Sequence, residues 1–172
     1  MDSASFEQHL LDELYFKMIS FFEGDPKRIQ HFIKVHSLAR LIGIGENLDA
    51  ASLFLLEAAA YTHDCGIKPA EEKYGRSDGK LQEQEGPTVA QQMLLELGFE
   101  NYMIERICYL IGHHHTYDKI DGMDYQILVE ADFLVNLYEE DAGEHAIRKA
   151  YENIFCTDTG KQIFRQMFGV EE

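Results

Sequence analysis

The chain has 172 residues, 45% of them hydrophobic and 27% charged, with a formal net charge of −16. That length supports one domain with a sizeable core, and the composition excludes a disordered chain. The charge opposes binding to nucleic acid polymers or to anionic membranes, both of which need a basic footprint.

The first residues, MDSASFEQHLLDE, are acidic and lack the basic start and apolar centre of a signal peptide. No run approaches 18 apolar residues, so no transmembrane helix is expected. Cys65, Cys108 and Cys156 are far apart and form no CxxC pair. A cytoplasmic protein with reduced thiols is expected.

Residues 5–23 carry Phe6, Leu10, Leu14, Met18, Phe21 and Phe22 at helical spacing. Phe16, Phe21 and Phe22 extend past one stripe, which suits internal packing or a homo-oligomeric face. Gly24-Asp25-Pro26 breaks the pattern and restarts it, with Asp25 as N-cap and Pro26 at the first helical position. That second helix runs to about Ile44. Asp49 caps a third, which ends in A58-A-A-Y-T-H63-D64-C-G66 with Gly66 as its closing glycine. Residues 67–82 show no apolar period and read as a polar loop able to cover a site. A helix from about Thr88 to Gly98 follows. The next starts at Asn101 and ends in His113-His114-His115. Asp124 opens another, Y125-Q-I-L-V-E-A-D-F-L-V-N136, and two short helices near 144–155 and 160–168 finish the chain. No strand alternation, repeat or linker interrupts this order. The expectation is an all-α, single-domain compact bundle over residues 1–172.

Three helices offer ligand chemistry from apolar surroundings. Val35, Leu38 and Ile42 continue the face of His31. Asp132 lies among Leu128, Ala131, Phe133 and Val135, where an unpaired carboxylate is costly. His63 and Asp64 are adjacent, so they converge only if the helix ends there, as Gly66 indicates. Taken singly, His31 reads more readily as a core histidine bonded to a carbonyl, and Asp132 equally well as a buried acid paired with a base. Taken together, two imidazoles and two carboxylates suit Zn, Mn, Fe, Co or Ni better than Ca. T159-G160-K161-Q162 lacks the earlier glycine and the preceding strand of a P-loop.

The order His31, His63-Asp64, Asp132, one group to each helix, resembles the HD superfamily of metal-dependent phosphohydrolases. R28-I-Q-H31-F-I-K-V35-H-S-L38-A39 resembles its first-histidine helix. E57-A-A-A-Y-T-H63-D64-C-G66-I-K68 resembles the segment with the doublet, and E130-A131-D132-F-L134 the last-aspartate helix. The likeness spans roughly residues 25–140.

It implies an all-α fold, and one divalent metal (Mn, Fe, Co, Ni, Zn or Mg) held by His31, His63, Asp64 and Asp132. It also implies hydrolysis of a phosphate ester or anhydride, in a nucleotide or other small phosphorylated metabolite. Asp64, next to metal and water, is the candidate base. His113 and His114 match a second histidine position of the two-metal members and are candidates for orienting water or binding phosphate. The first such position has Q82-E-Q-E85-G-P in place of a histidine. Lys68 and Arg76 are the candidate phosphate ligands, with Lys73 and Lys80 on the same segment; Glu71 or Glu72 could donate a proton. Two other readings stay open: a non-catalytic metal- or nucleotide-binding regulatory module, and a di-iron oxygenase, for which the missing histidine leaves too few ligands.

Overall fold

The computed structural model describes residues 3–171, and among them nine helices and no strand. They are α1 (Ser3–Phe21), α2 (Pro26–Gly45), α3 (Ala50–Thr62), α4 (Ile67–Tyr74), α5 (Gly79–Leu97), α6 (Asn101–Ile111), α7 (Met123–Glu139), α8 (Glu144–Ile154) and α9 (Asp158–Phe168). The all-α expectation holds.

Local chemistry sets the helix starts. Asp25 Oδ1 accepts the Arg28 N–H at 3.1 Å, with Pro26 in the first turn of α2. Asp49 does the same for the Ser52 N–H at 2.9 Å. The start of α7 differs from expectation. Gly122 is its cap, while Asp124 sits in the first turn and binds Arg106 at 2.7 Å.

α3 is the pillar of the fold, packed against α1, α2, α6 and α7. Its alanines Ala58, Ala59 and Ala60 are fully buried, and their small size lets neighbouring helices come close. α2 lies between α3 and α7. Phe32, Val35, Ala39 and Ile42 of α2 meet Leu128, Ala131 and Val135 of α7 in one apolar core. On α1 the buried stripe is Leu10, Leu14, Met18 and Phe22; Phe6 and Phe16 are exposed.

Residues 67–82 are not a loop. They form α4, a four-residue connection over 75–78 and the first turn of α5, which runs unbroken through Pro87. Gly66 explains the difference. Its φ of −74° is ordinary, so it is not a left-handed cap, and it starts α4 rather than closing α3. It is small because α5 presses on it: a Cβ there would run into the Gln82 carbonyl and approach Gly86 N at 2.8 Å. Pro87 removes one helical donor. Nearby, the Cys65 thiol donates to Gly86 O at 3.2 Å and the Cys108 thiol to Pro87 O at 3.4 Å. Burial pushes the Cys65 thiol far up and Cys108 up to about 11, so both are unreactive packing groups. Cys156, by contrast, is exposed. Among the described residues no helix is long and apolar enough to cross a membrane.

Candidate metal centre

The end of α3 aims the His63-Asp64 doublet. Thr62 Oγ1 donates back to Ala58 O at 2.8 Å, and His63 Nδ1–H to Ala60 O at 2.8 Å. The Thr62 hydroxyl shares a carbonyl already in the helix ladder, while His63 takes one of the last four carbonyls, at the point where the helix ends. A carbonyl only accepts, so His63 carries its proton on Nδ1 and turns Nε2 inward.

His31 and Asp132 meet it from α2 and α7. His31 Nε2 lies 3.1 Å from Asp132 Oδ1, 3.3 Å from Asp64 Oδ2 and 3.3 Å from His63 Nε2. His63 Nε2 lies 3.4 Å from Asp64 Oδ2 and 3.4 Å from Asp132 Oδ1. Ligands ~2.1 Å from one ion stand roughly 3.0 Å apart at right angles and about 3.4 Å apart at the tetrahedral angle. Donor atoms of His31, His63 and Asp64 therefore already have the spacing of one coordination sphere, and Asp132 Oδ1 stands at the same spacing from both imidazoles. His114 adds a second sign of an intended partner. Its Nδ1–H donates to Ile111 O at 2.7 Å, while its Nε2 is buried without a hydrogen bond, 3.6 Å from Asp64 Oδ1. Such an orphaned atom fits a group that binds there. The residues present suit a divalent cation.

The electrostatics are those of acids and imidazoles packed together. Burial alone would lower the His31 pKa, but the hydrogen bond to Asp132, the charges of Asp64 and Asp132 and the hydrogen bond to Glu139 carry it up to about 9. His63 is raised for the same reasons, burial opposing and Asp64 and Asp132 prevailing. Burial would raise Asp64 and Asp132; the imidazoles of His63, His114 and His31 hold Asp64 far below the usual carboxylate range, and those of His31 and His63 do so for Asp132. Protons on the imidazoles stand where a metal's charge would.

The cluster floors an open cleft of about 450 Å³. Asp25, Lys27 and Arg28, at the start of α2, line one wall; Asn136 and Glu139 of α7, with Glu140 just after it, line another; Ile67, Ser77, Gln82 and His115 complete it.

Several expected contributors lie elsewhere. α6 ends at Ile111, and the following turn is pinned by the buried Tyr125, whose hydroxyl lies 2.6 Å from His113 O and also against Thr116 O. This turn swings the His113 ring back onto Tyr109, with ring centres 4.2 Å apart and Nδ1–H donating to Tyr109 O. His114 reaches the cluster and His115 the cleft, where it bonds Gln82 Oε1 at 3.0 Å. Lys68 turns outward on α4, donating to Phe21 O at 3.1 Å over the Phe21 ring. Arg76 is exposed beside Asp78. Glu85 is tied to Lys73 and Tyr74, off the cleft. Glu71 bonds Arg28 at 2.6 Å.

Sequence reasoning missed Lys27, Arg28, His115, Asn136 and Glu139. Helical phase carried a signal for three of them: Arg28 precedes His31 by one turn, and Asn136 and Glu139 follow Asp132 at i+4 and i+7. Nothing in the run of histidines marked His115 over His113.

Residues 28–151 match the HD domain family. The chain belongs to the HD-domain family. Among solved structures, the HD fold here resembles a crystal structure described as a predicted HD superfamily hydrolase from an uncultured Thermotogales bacterium. That match has a TM-score of 0.63 at 23% identity and covers 94% of this chain and 84% of the other. No curated protein matches the chain. His31, His63 and Asp64 form a group that could hold a metal ion, as do Asp64, His114 and His115, the two groups sharing Asp64.

Proposed function

We propose that this HD domain hydrolyses a phosphate ester or anhydride of a small metabolite, a nucleotide among the candidates, with a divalent metal held by His31, His63, Asp64 and Asp132. The observation that carries this reading is the convergence of the two carboxylates on the His31 and His63 Nε2 atoms at 3.1–3.4 Å, beside an open cleft lined by His31, Asp64 and Asp132. A bound cation supplies Lewis-acid polarisation of a phosphoryl oxygen and lowers the pKa of a coordinated water.

The chain's own groups do the rest. Arg28 and Lys27 take the phosphate charge in place of Lys68 and Arg76, because they line the cleft and those two do not. Arg28 is preset for this by Asp25 at 3.2 Å and Glu71 at 2.6 Å. Asp64 turns Oδ2 toward His31 and His63 and Oδ1 toward His114, so it is the carboxylate placed to take a proton from an attacking water. His114 Nε2, unprotonated because its Nδ1–H goes to Ile111 O, accepts from and orients the attacking water, and His115 lines the cleft beside it. The free Cys65 and Cys108 thiols favour a reducing cytoplasm.

The test is elemental analysis of protein purified without a metal-affinity tag, beside Asp64→Ala. Assays of nucleotides and simple phosphomonoesters with Mn, Co, Ni, Fe or Mg would follow. About one metal per chain, lost in the variant, and metal-dependent phosphate release are expected. A metal-loaded protein that releases phosphate from no substrate, while binding nucleotides, would instead support a regulatory module.

A further inference from the structure

The imidazoles of the centre are each held from behind at Nδ1, but by different groups. His63 donates to Ala60 O at 2.8 Å and His114 to Ile111 O at 2.7 Å. Both are neutral backbone acceptors within a helix end. His31 donates to Glu139 Oε2 at 2.9 Å, a carboxylate from another helix. The other oxygen of that carboxylate accepts Lys34 Nζ at 2.7 Å. Glu139 lies two turns beyond Asp132 on α7, and Lys34 lies three residues beyond His31 on α2. One charged chain, Lys34 to Glu139 to His31, thus ties together the two helices that bring His31 and Asp132 to the same point.

We propose that Glu139 is a positioning residue that sets the metal affinity of the centre through His31. The inference rests on the metal-centre reading above. The physical argument has two parts. Orientation comes first: Nδ1–H bound to Glu139 leaves Nε2 as the atom facing Asp132 and His63, so no ring rotation has to be frozen when a cation enters. Basicity comes second: a carboxylate behind an imidazole strengthens the opposite nitrogen as a donor, which a backbone carbonyl does less well. Lys34 keeps the Glu139 carboxylate in place, with only 14% of the Glu139 side chain exposed.

The test compares the full-length chain with Glu139→Gln and Glu139→Leu. Metal-free protein is titrated with Co²⁺ or Mn²⁺ against a chromophoric chelator, and the visible Co²⁺ spectrum is recorded at saturation. Glutamine keeps an acceptor for Nδ1–H but not the charge, so affinity should fall about tenfold; leucine removes both and should bring the loss to about a hundredfold. The Co²⁺ absorption bands should shift in the same order. Melting of the metal-free variants controls for folding, and Glu139→Gln, nearly isosteric, remains readable if the leucine variant unfolds. A lowered melting temperature with an unchanged Kd would make Glu139 merely structural and overturn the inference. So would wild-type affinity in both variants. If the wild-type chain itself takes up neither Co²⁺ nor Mn²⁺, the metal-centre reading falls, and this inference with it.

Discussion

Helix α7 buries two carboxylates two residues apart, and they have opposite fates. Glu130 is fully buried and satisfied by protein donors at the start of α9: Thr157 N–H at 2.9 Å, Thr157 Oγ1 at 2.5 Å and Cys156 N–H at 2.6 Å, with Gln126 at 2.8 Å. The carboxylate joins α7 to the N-terminus of α9, where backbone donors and the helix dipole favour it. Asp132 is nearly as buried, yet its partners are imidazoles and the Asn136 amide, beside an open cleft and an orphaned histidine nitrogen. Burial of an acid therefore does not by itself mark a functional site. The identity of the partners does: fixed backbone donors make a joint, whereas titratable groups around an open space make a binding centre.

Substitution should separate the two most sharply. Asp132→Ala should abolish metal uptake and reduce turnover at least ~10³-fold, in line with loss of a first-row metal ligand, as read by elemental analysis and phosphate release. Metal retention at wild-type level would remove Asp132 from the centre. Glu130→Ala should keep the metal stoichiometry but lower unfolding stability by about 3 kcal/mol, because it strands buried donors of Thr157 and Cys156. A denaturant titration checks this; an effect on metal content with no loss of stability would reverse the assignment.

The functional side of the comparison should extend to the first turn of α2. Arg28→Ala should raise KM for a phosphate ester by ~10–100-fold, the cost of one charge-assisted contact. Lys68→Met and Arg76→Ala should stay within about twofold, since exposed charges outside a cleft contribute little. Steady-state kinetics decide, and a larger effect at Lys68 than at Arg28 would restore the sequence-based expectation.

Smallest is a pH effect confined to the Asp132 side. His31 titrates at about 9 when folded, above the ordinary value of 6.5. The raised value means its protonated form stabilises the metal-free fold below pH 6.5, and that contribution is lost as pH rises through 9. Metal-free protein should melt at progressively lower temperature from pH 6.5 to 9.5. Metal-loaded protein should not show this trend, since a cation replaces those protons. Identical pH profiles for the two forms would refute the account.

Read from the chain alone, His31, His63, Asp64 and Asp132 were visible because each breaks an apolar helical face, and burying such a group demands a partner. Capping by Asp25 and Asp49 was equally legible, being local chemistry within one turn. The segment 67–82 was misread because α4 and the start of α5 owe their stability to each other. Their contact passes over Gly66, and no periodicity within either segment records it.

What the sequence determined by itself, then, was the all-helical class and the order of His31, His63-Asp64 and Asp132 along it, both written in residue types at helical spacing. The tertiary structure alone decided which neighbours complete the site. His115 entered the cleft in place of His113 because Tyr125 pins the turn after α6. Arg28 lines the cleft and Lys68 does not, because α4 points Lys68 outward onto Phe21. Glu139 found His31 because α2 and α7 pack side by side. These are facts about how one helix is rotated against another, and that rotation is set by packing across the whole core rather than by any short stretch of chain.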